Sequence, residues 1–232
     1  MMQQASGHTL KAFDEDIERL RALISQMGGL AEHAIEEAMR CLIQRDTEGA
    51  AKIVLEDKKL DALEIETERR AVQLIALRAP MAGDLRDVVA ALKISGVVER
   101  IGDYAKNIAK RVPSLENAGK IEPISLLPEM ARIATGMVHD VLDAFIARDA
   151  QAAIRVCERD QAVDDFYDSI FRTLLTHMME NPHNIGQSAH LLFVAKNLER
   201  VGDHATNIAE MVYYAASGQH MADRPGKSVS AQ

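Results

Sequence analysis

The chain has 232 residues, with 27 lysines and arginines against 35 aspartates and glutamates, no tryptophan, and a formal net charge of −8. At 47% hydrophobic and 27% charged it has the composition of a folded chain, and no run approaches the ~18 apolar residues of a membrane span. This length suits one domain or two small ones, and the acidic balance disfavours nonspecific nucleic-acid binding, which rests on Lys and Arg neutralising phosphates.

The opening segment MMQQASGHTLKAFDED has no apolar signal core, so a cytoplasmic location is expected. Cys41 and Cys157 are too few for a disulfide framework and fit a reducing compartment. Apolar residues then recur at three and four, as in Ile17, Leu20, Ile24 and Met27, and alternating strand patterns are nearly absent. The pattern predicts six long helices over residues 10–45, 47–78, 83–111, 126–147, 150–180 and 186–215. Asp46 and Asp149 are N-cap candidates, Pro80 and Pro182 stop the helices before them, and Gly28-Gly29 is a point where the first helix would bend or break. Residues 113–125 read as the linker, and residues 217–232 as a disordered tail.

The linker separates two halves that repeat. Glu37, Asp46, Asp57 and Asp61 fall 103 residues before Asp140, Asp149, Asp160 and Asp164. ERIGDYAKNIA (Glu99–Ala109) lies 100 residues before ERVGDHATNIA (Glu199–Ala209), matching at eight of eleven positions. A drifting offset of this kind is what a duplicated three-helix unit leaves. The expected fold is therefore all-α, two tandem three-helix bundles covering residues 8–112 and 126–216.

Carboxylates interrupt this pattern. With Asp57 at zero on an ideal wheel, Asp61 falls at about 40°, Glu64 at about −20° and Glu68 at about 20°. Ala50, Ile53, Val54, Val72 and Ile75 share that line, and Asp160 and Asp164 align with Ala153, Val156, Cys157, Phe171 and Leu174. A carboxylate on an apolar face needs a hydrogen bond, a cation or a proton. On the third helices, Glu99/Asp103 and Glu199/Asp203 are again four apart, beside the small-residue stripes Gly102, Ala105, Ala109 and Gly202, Ala205, Ala209. Glycine in mid-helix costs about 1 kcal/mol relative to alanine and points to close approach of another group.

If the second and third helices pack antiparallel, Asp57/Asp61 meet Glu99/Asp103, and Asp160/Asp164 meet Glu199/Asp203. Oxygen-only ligands suit hard cations such as magnesium, manganese, calcium or carboxylate-bound iron, whereas structural zinc prefers the Cys and His this set lacks. The bland alternative is ordinary ion pairing with Lys58, Arg100 and Lys106. In the second half Thr206 and Glu210 stand where Lys106 and Lys110 stand in the first, so fewer counterions and stronger cation binding are expected there. Cys157 and Cys41 read as core, His204 as a surface side chain, and Asn107 and Asn207 as supporting groups. Glu180 and His183 form an E-x-x-H spacing that Pro182 breaks.

The doubled E-R-[IV]-G-D-x-A-x-N-I-A on third helices, with D-x-x-x-D on second helices, resembles the PhoU family over residues 8–216. The resemblance implies a cytoplasmic homodimer that negatively regulates phosphate uptake and the phosphate-starvation response, and no enzymatic activity. It further implies metal ions on Asp57, Asp61, Glu99, Asp103, Asp160, Asp164, Glu199 and Asp203, with iron, manganese, magnesium or zinc as the cations expected. The implied partners are a sensor histidine kinase and the ATPase subunit of the phosphate ABC importer, with membrane contact only through them. Two rivals stand beside this reading: a carboxylate-bridged di-metal oxidase or ferroxidase, and a metal-free helical scaffold accessory to a phosphate permease.

Overall fold

A computed structural model describes residues 2–116 and 125–221, with side chains from residue 12 onward. Its long helices are α1 (Met2–Gln44), α2 (Thr47–Glu56), α3 (Lys58–Arg78), α4 (Gly83–Ala109), α6 (Leu127–Ala147), α7 (Ala150–Glu158), α8 (Asp160–Glu180) and α9 (Ile185–Ser217), with the short α5 (Val112–Leu115) between the halves. No strand occurs among the described residues, and none of their helices is long and apolar enough to cross a membrane.

The expected helix stops and starts are observed. Asp46 accepts from Gly49 N at 2.8 Å, and Asp149 accepts from Gln151 N and Ala152 N at 2.9 and 3.0 Å. Each side chain thereby satisfies amides that the first helical turn leaves open. Three expectations need correction. The two second helices are each interrupted by a single residue, Asp57 and Arg159. Both residues keep right-handed helical backbone, and the turn tightens there, with Leu60 N bonded to Asp57 O and Ala162 N bonded to Arg159 O. A short three-residue-period turn interrupts a helix in this way without a proline. Secondly, Gly28-Gly29 does not break α1; a Cβ on Gly28 would lie 2.2 Å from Leu142 Cδ1, so this glycine lets α6 approach. Thirdly, the described ends of the segments read as linker and tail carry local structure. Val112 and Leu115 of α5 are buried, Gly218 caps α9 at φ +75°, and His220 stacks on Tyr214 at 4.6 Å. Residues 117–124 and 222–232 lie outside the described residues.

Each repeat folds as a three-helix unit, the interrupted pairs α2/α3 and α7/α8 acting as second helices. Within each unit the second and third helices run antiparallel. Leu60 packs on Gly102, Glu64 on Gly96, and Val163 on Gly202. The units meet through α4 against α9 and α1 against α6. The buried apolar side chains form a core that spans both, from Ile24 and Ile35 through Ile101 and Ile108 to Met137 and Ile208.

Candidate metal-binding site

The register of α3 decides where its acids go. On α3 the buried face is Leu60, Thr67, Ala71 and Leu74. Asp61 and Glu64 are half-buried beside it, while Glu68 and Val72 are exposed. The wheel centred on Asp57 set these acids inside a stripe drawn through Val72 and Ile75; the buried stripe runs through Leu60, Thr67, Ala71 and Leu74, and the acids line its edge, facing α4.

In the first unit the carboxylates converge. Lys106 of α4 holds its Nζ 2.5 Å from Asp57 Oδ2 across the helix pair and 2.5 Å from Asp103 Oδ1 one turn back. The Asp57 side chain is only 8% exposed. Burial pushes the Glu99 carboxyl up to about 7, and the charges of Asp103, Glu64, Asp61 and Asp57 add to the shift in that order. Glu64 is also raised, by burial first and then by Glu68 and Asp61, with Arg100 opposing. A carboxylate raised by four others shares one patch with them, as the antiparallel packing requires.

The second unit repeats the frame but changes the charges. Asp160 is buried, at 7% exposure, with Oδ1 3.3 Å from where a Cβ on Gly202 would sit. Gly202 thus brings α9 close to the start of α8, as Gly102 brings α4 close to Leu60. Asp164 and Asp203 are half-buried on the same helices. Here the expectation of missing counterions is overturned. Lys196, one turn before the motif, places Nζ 2.6 Å from Glu199 Oε1 and 2.5 Å from Oε2. Lys196 stands where the first repeat has Gly96, and Tyr167 stands where it has Glu64. The ammonium lies 5.1 Å from the Tyr167 ring centroid. Each patch therefore carries one lysine, placed at opposite ends.

Among the described residues, no three acid, histidine or cysteine side chains stand as they are at positions that would hold one ion. The donor chemistry nevertheless fits a hard cation. The candidate donors are all carboxylate oxygens, and in the first unit an ammonium already bridges two of them. A metal there would be held by Asp57, Asp61, Glu99 and Asp103, with Lys106 turned away. Its counterpart would use Asp160, Asp164, Glu199 and Asp203.

His204 is not a surface side chain. Its Nε2 lies 3.2 Å from the Tyr104 hydroxyl, with ring centroids 5.3 Å apart. Equivalent positions of the two repeats thus meet each other where α4 and α9 cross. Arg111 of the first unit lies over Phe193, 4.7 Å from its centroid, on the same seam. Only the pairing of Tyr104 with His204 in the repeat alignment hinted at this contact. Cys41 and Cys157 are buried, as expected of core residues.

Comparison with known proteins agrees with the repeat. The family model described as PhoU domain matches twice, over residues 24–112 and 127–212. A phosphate-specific transport system accessory protein PhoU homolog of Zymomonas mobilis is 57% identical over 225 residues, covering 96% of this chain and 95% of the relative. The homolog of Caulobacter vibrioides is 46% identical, covering 97% and 99%. The crystal structure of PhoU from Pseudomonas aeruginosa superposes with a TM-score of 0.85 at 34% identity, covering 89% of this chain and 100% of that one. The phosphate transport system regulatory protein PhoU of Streptococcus pneumoniae gives 0.84 at 27% identity, covering 90% and 99%. Two matched repeats, the antiparallel acid-bearing helix pairs and these identities make the chain a member of the PhoU family.

Proposed function

We propose that this chain is a cytoplasmic regulatory adaptor of phosphate transport. It binds the ATPase subunit of a phosphate ABC importer and a sensor histidine kinase, as a homodimer, and restrains uptake and the starvation response when phosphate is plentiful. Support for the transport role comes from relatives named as phosphate-specific transport system accessory proteins over nearly their whole length. The adaptor role suits a molecule whose described surface consists of long helical faces. Such a protein signals only if it binds two states of a partner unequally, since equal affinity shifts no equilibrium.

The acid patches are read as cation sites that stiffen each helix pair and present a charged docking surface. The observation that carries this is the Asp57–Lys106–Asp103 bridge, where one positive charge already ties the second helix to the third. A bound metal would supply the same cross-link with more charge. The test combines elemental analysis of protein purified without chelator with Asp103→Ala and Asp203→Ala. Reduced metal content together with derepressed phosphate uptake is the expected result. Full metal content in both variants would refute the ligand assignment, and failure to recover either partner from phosphate-rich cells would refute the adaptor role.

A further inference from the structure

The N-terminal end of α4 carries a second charged cluster, in which arginines outnumber the carboxylates Asp84 and Asp87. Asp87 is buried and shared by two arginines: Arg21 of α1 reaches Oδ2 at 3.2 Å, and Arg148, at the end of α6, reaches Oδ1 at 3.2 Å. Burial pushes this carboxyl up, and Arg148 and then Arg21 pull it back. A third guanidinium, Arg86, points into the same corner. A Cβ on Gly83 would lie 3.5 Å from an Arg148 terminal nitrogen and 3.8 Å from an Arg86 terminal nitrogen. The absent side chain of Gly83 therefore leaves a cradle between two cations.

Arg86 is held there without being satisfied. Its guanidinium packs 3.4 Å from the Cβ position of Gly218, at the end of α9. That places positive charge near the negative end of a helix, but its Nε is buried and has no hydrogen-bond partner. A buried donor without an acceptor costs stability, and in a native protein it calls for a reason. Three guanidiniums stand against Asp87 and Asp84, whose charge also raises the Asp87 carboxyl, so the corner keeps one net positive charge in a chain whose net charge is −8. Access is through Arg148, whose side chain is 42% exposed, and Arg21, 25% exposed; the buried Arg86 Nε meets a ligand only when the end of α9 at Gly218 gives way.

We propose that Arg21, Arg86 and Arg148, over the Gly83 cradle, bind a tetrahedral oxyanion, the choice of inorganic phosphate resting on the transport role proposed above. Guanidinium forks match such oxygens in pairs, and Nε is one tooth of the fork. Asp87 orients two of the arginines and leaves the third to the ligand. Asp87 and Asp103 are separated by 16 residues of α4, about 24 Å at the helical rise. The site shares no residue with the acid patches and stands whether or not they load metal.

The experiment uses chelator-treated full-length protein, so that no metal at the patches can carry phosphate. Calorimetric titration with sodium phosphate is compared with sodium chloride at equal ionic strength. Saturable phosphate binding is expected, weakened about tenfold or more by Arg86→Gln and by Arg148→Gln, each contributing a charge-assisted contact, and unchanged by Arg132→Gln. The Arg86 Nε–H resonance of the wild-type protein is expected to shift as phosphate is added, and this reading needs no variant to fold. Absence of saturable binding, unchanged affinity in both arginine variants, or a stationary Arg86 Nε–H resonance would each overturn the proposal.

Discussion

Glu99 shows most directly what the acid patch costs. Its carboxyl is pushed up to about 7 by burial and then by its acidic neighbours, so the folded state holds a proton that the unfolded chain has already released. The stability this represents is complete below the ordinary carboxylate value and is lost as pH rises through about 7. Glu99→Gln removes the group that must be charged. In metal-free protein it is expected to stabilise at pH 8 by about 1–2 kcal/mol, after discounting for solvent screening, and to do nothing at pH 4. With saturating manganese the sign is expected to reverse, because the variant has lost a ligand. Thermal melts at both pH values, with and without metal, read all four cases. Lys106 is the other half of this balance. Asp103 and Asp57 accept from it and raise its pKa against the pull of burial, and Lys106→Thr recreates the residue of the second repeat. The variant is expected to melt lower without metal, since it leaves Asp57 unpaired at low exposure, and to bind manganese more tightly. Equal affinity in variant and wild type would mean that the ammonium does not occupy the cation position. The acids themselves were legible in the sequence because like charges four apart oppose helix stability and repeat after a hundred residues. Lys196 was not: it lies outside the repeated motif and has glycine as its counterpart.

At the scale of elements, the glycines of the third helices separate two cases that look identical in sequence. A Cβ on Gly102 would fall 2.2 Å from Leu60 Cδ2, whereas one on Gly202 would lie 3.3 Å from Asp160 Oδ1 and 3.4 Å from Val163 Cγ1. Leu60 is 3% exposed, but with Gly102 it lines a cavity of about 170 Å³ into which its side-chain tip can turn. Gly102→Ala is therefore expected to cost no more than about 1 kcal/mol, the turning of Leu60 into that cavity outweighing the gain in helix propensity. Gly202→Ala is expected to stay within about 0.5 kcal/mol of the wild type, because there the two effects offset. Denaturant melts of both variants give the comparison, and equal losses would contradict the packing described. The stripe itself could be read from spacing; which glycine is tight could not, because that depends on a leucine forty-two residues earlier. The interruptions at Asp57 and Arg159 escaped the sequence for a related reason. Both residues stay in the right-handed helical region, so no proline or glycine marks them, and apolar periodicity runs on across them.

For the whole molecule, the duplication gave the two units, but the way they join had to be seen in three dimensions. Residues that correspond in the two repeats touch at the seam, Tyr104 against His204, so the chain packs as an internal pseudo-dimer. A polar pair on helices otherwise lined with alanine looks solvent-facing until the second helix is laid over it. The seam is also where acid should act. Burial lowers the pKa of His204, the Arg100 and Arg200 charges lower it further, and Asp203 opposes them. The imidazole is thus harder to protonate in the fold, and Arg200 also lies 5.9 Å from the Tyr104 ring centroid. A depressed pKa contributes stability above the ordinary imidazole value, and that contribution is lost as pH falls through the folded one. Glu99 has the opposite sign over a similar range, so the melting temperature of the wild type alone would mix the two. The difference between wild type and His204→Gln isolates the seam, since glutamine keeps a hydrogen-bonding group and cannot charge. That difference is expected to favour the wild type at pH 7.5 and to shrink or reverse by pH 5, in Tyr104 fluorescence as well as in helix content. A difference that stays constant between those pH values would mean that protonating His204 leaves the join between the repeats untouched.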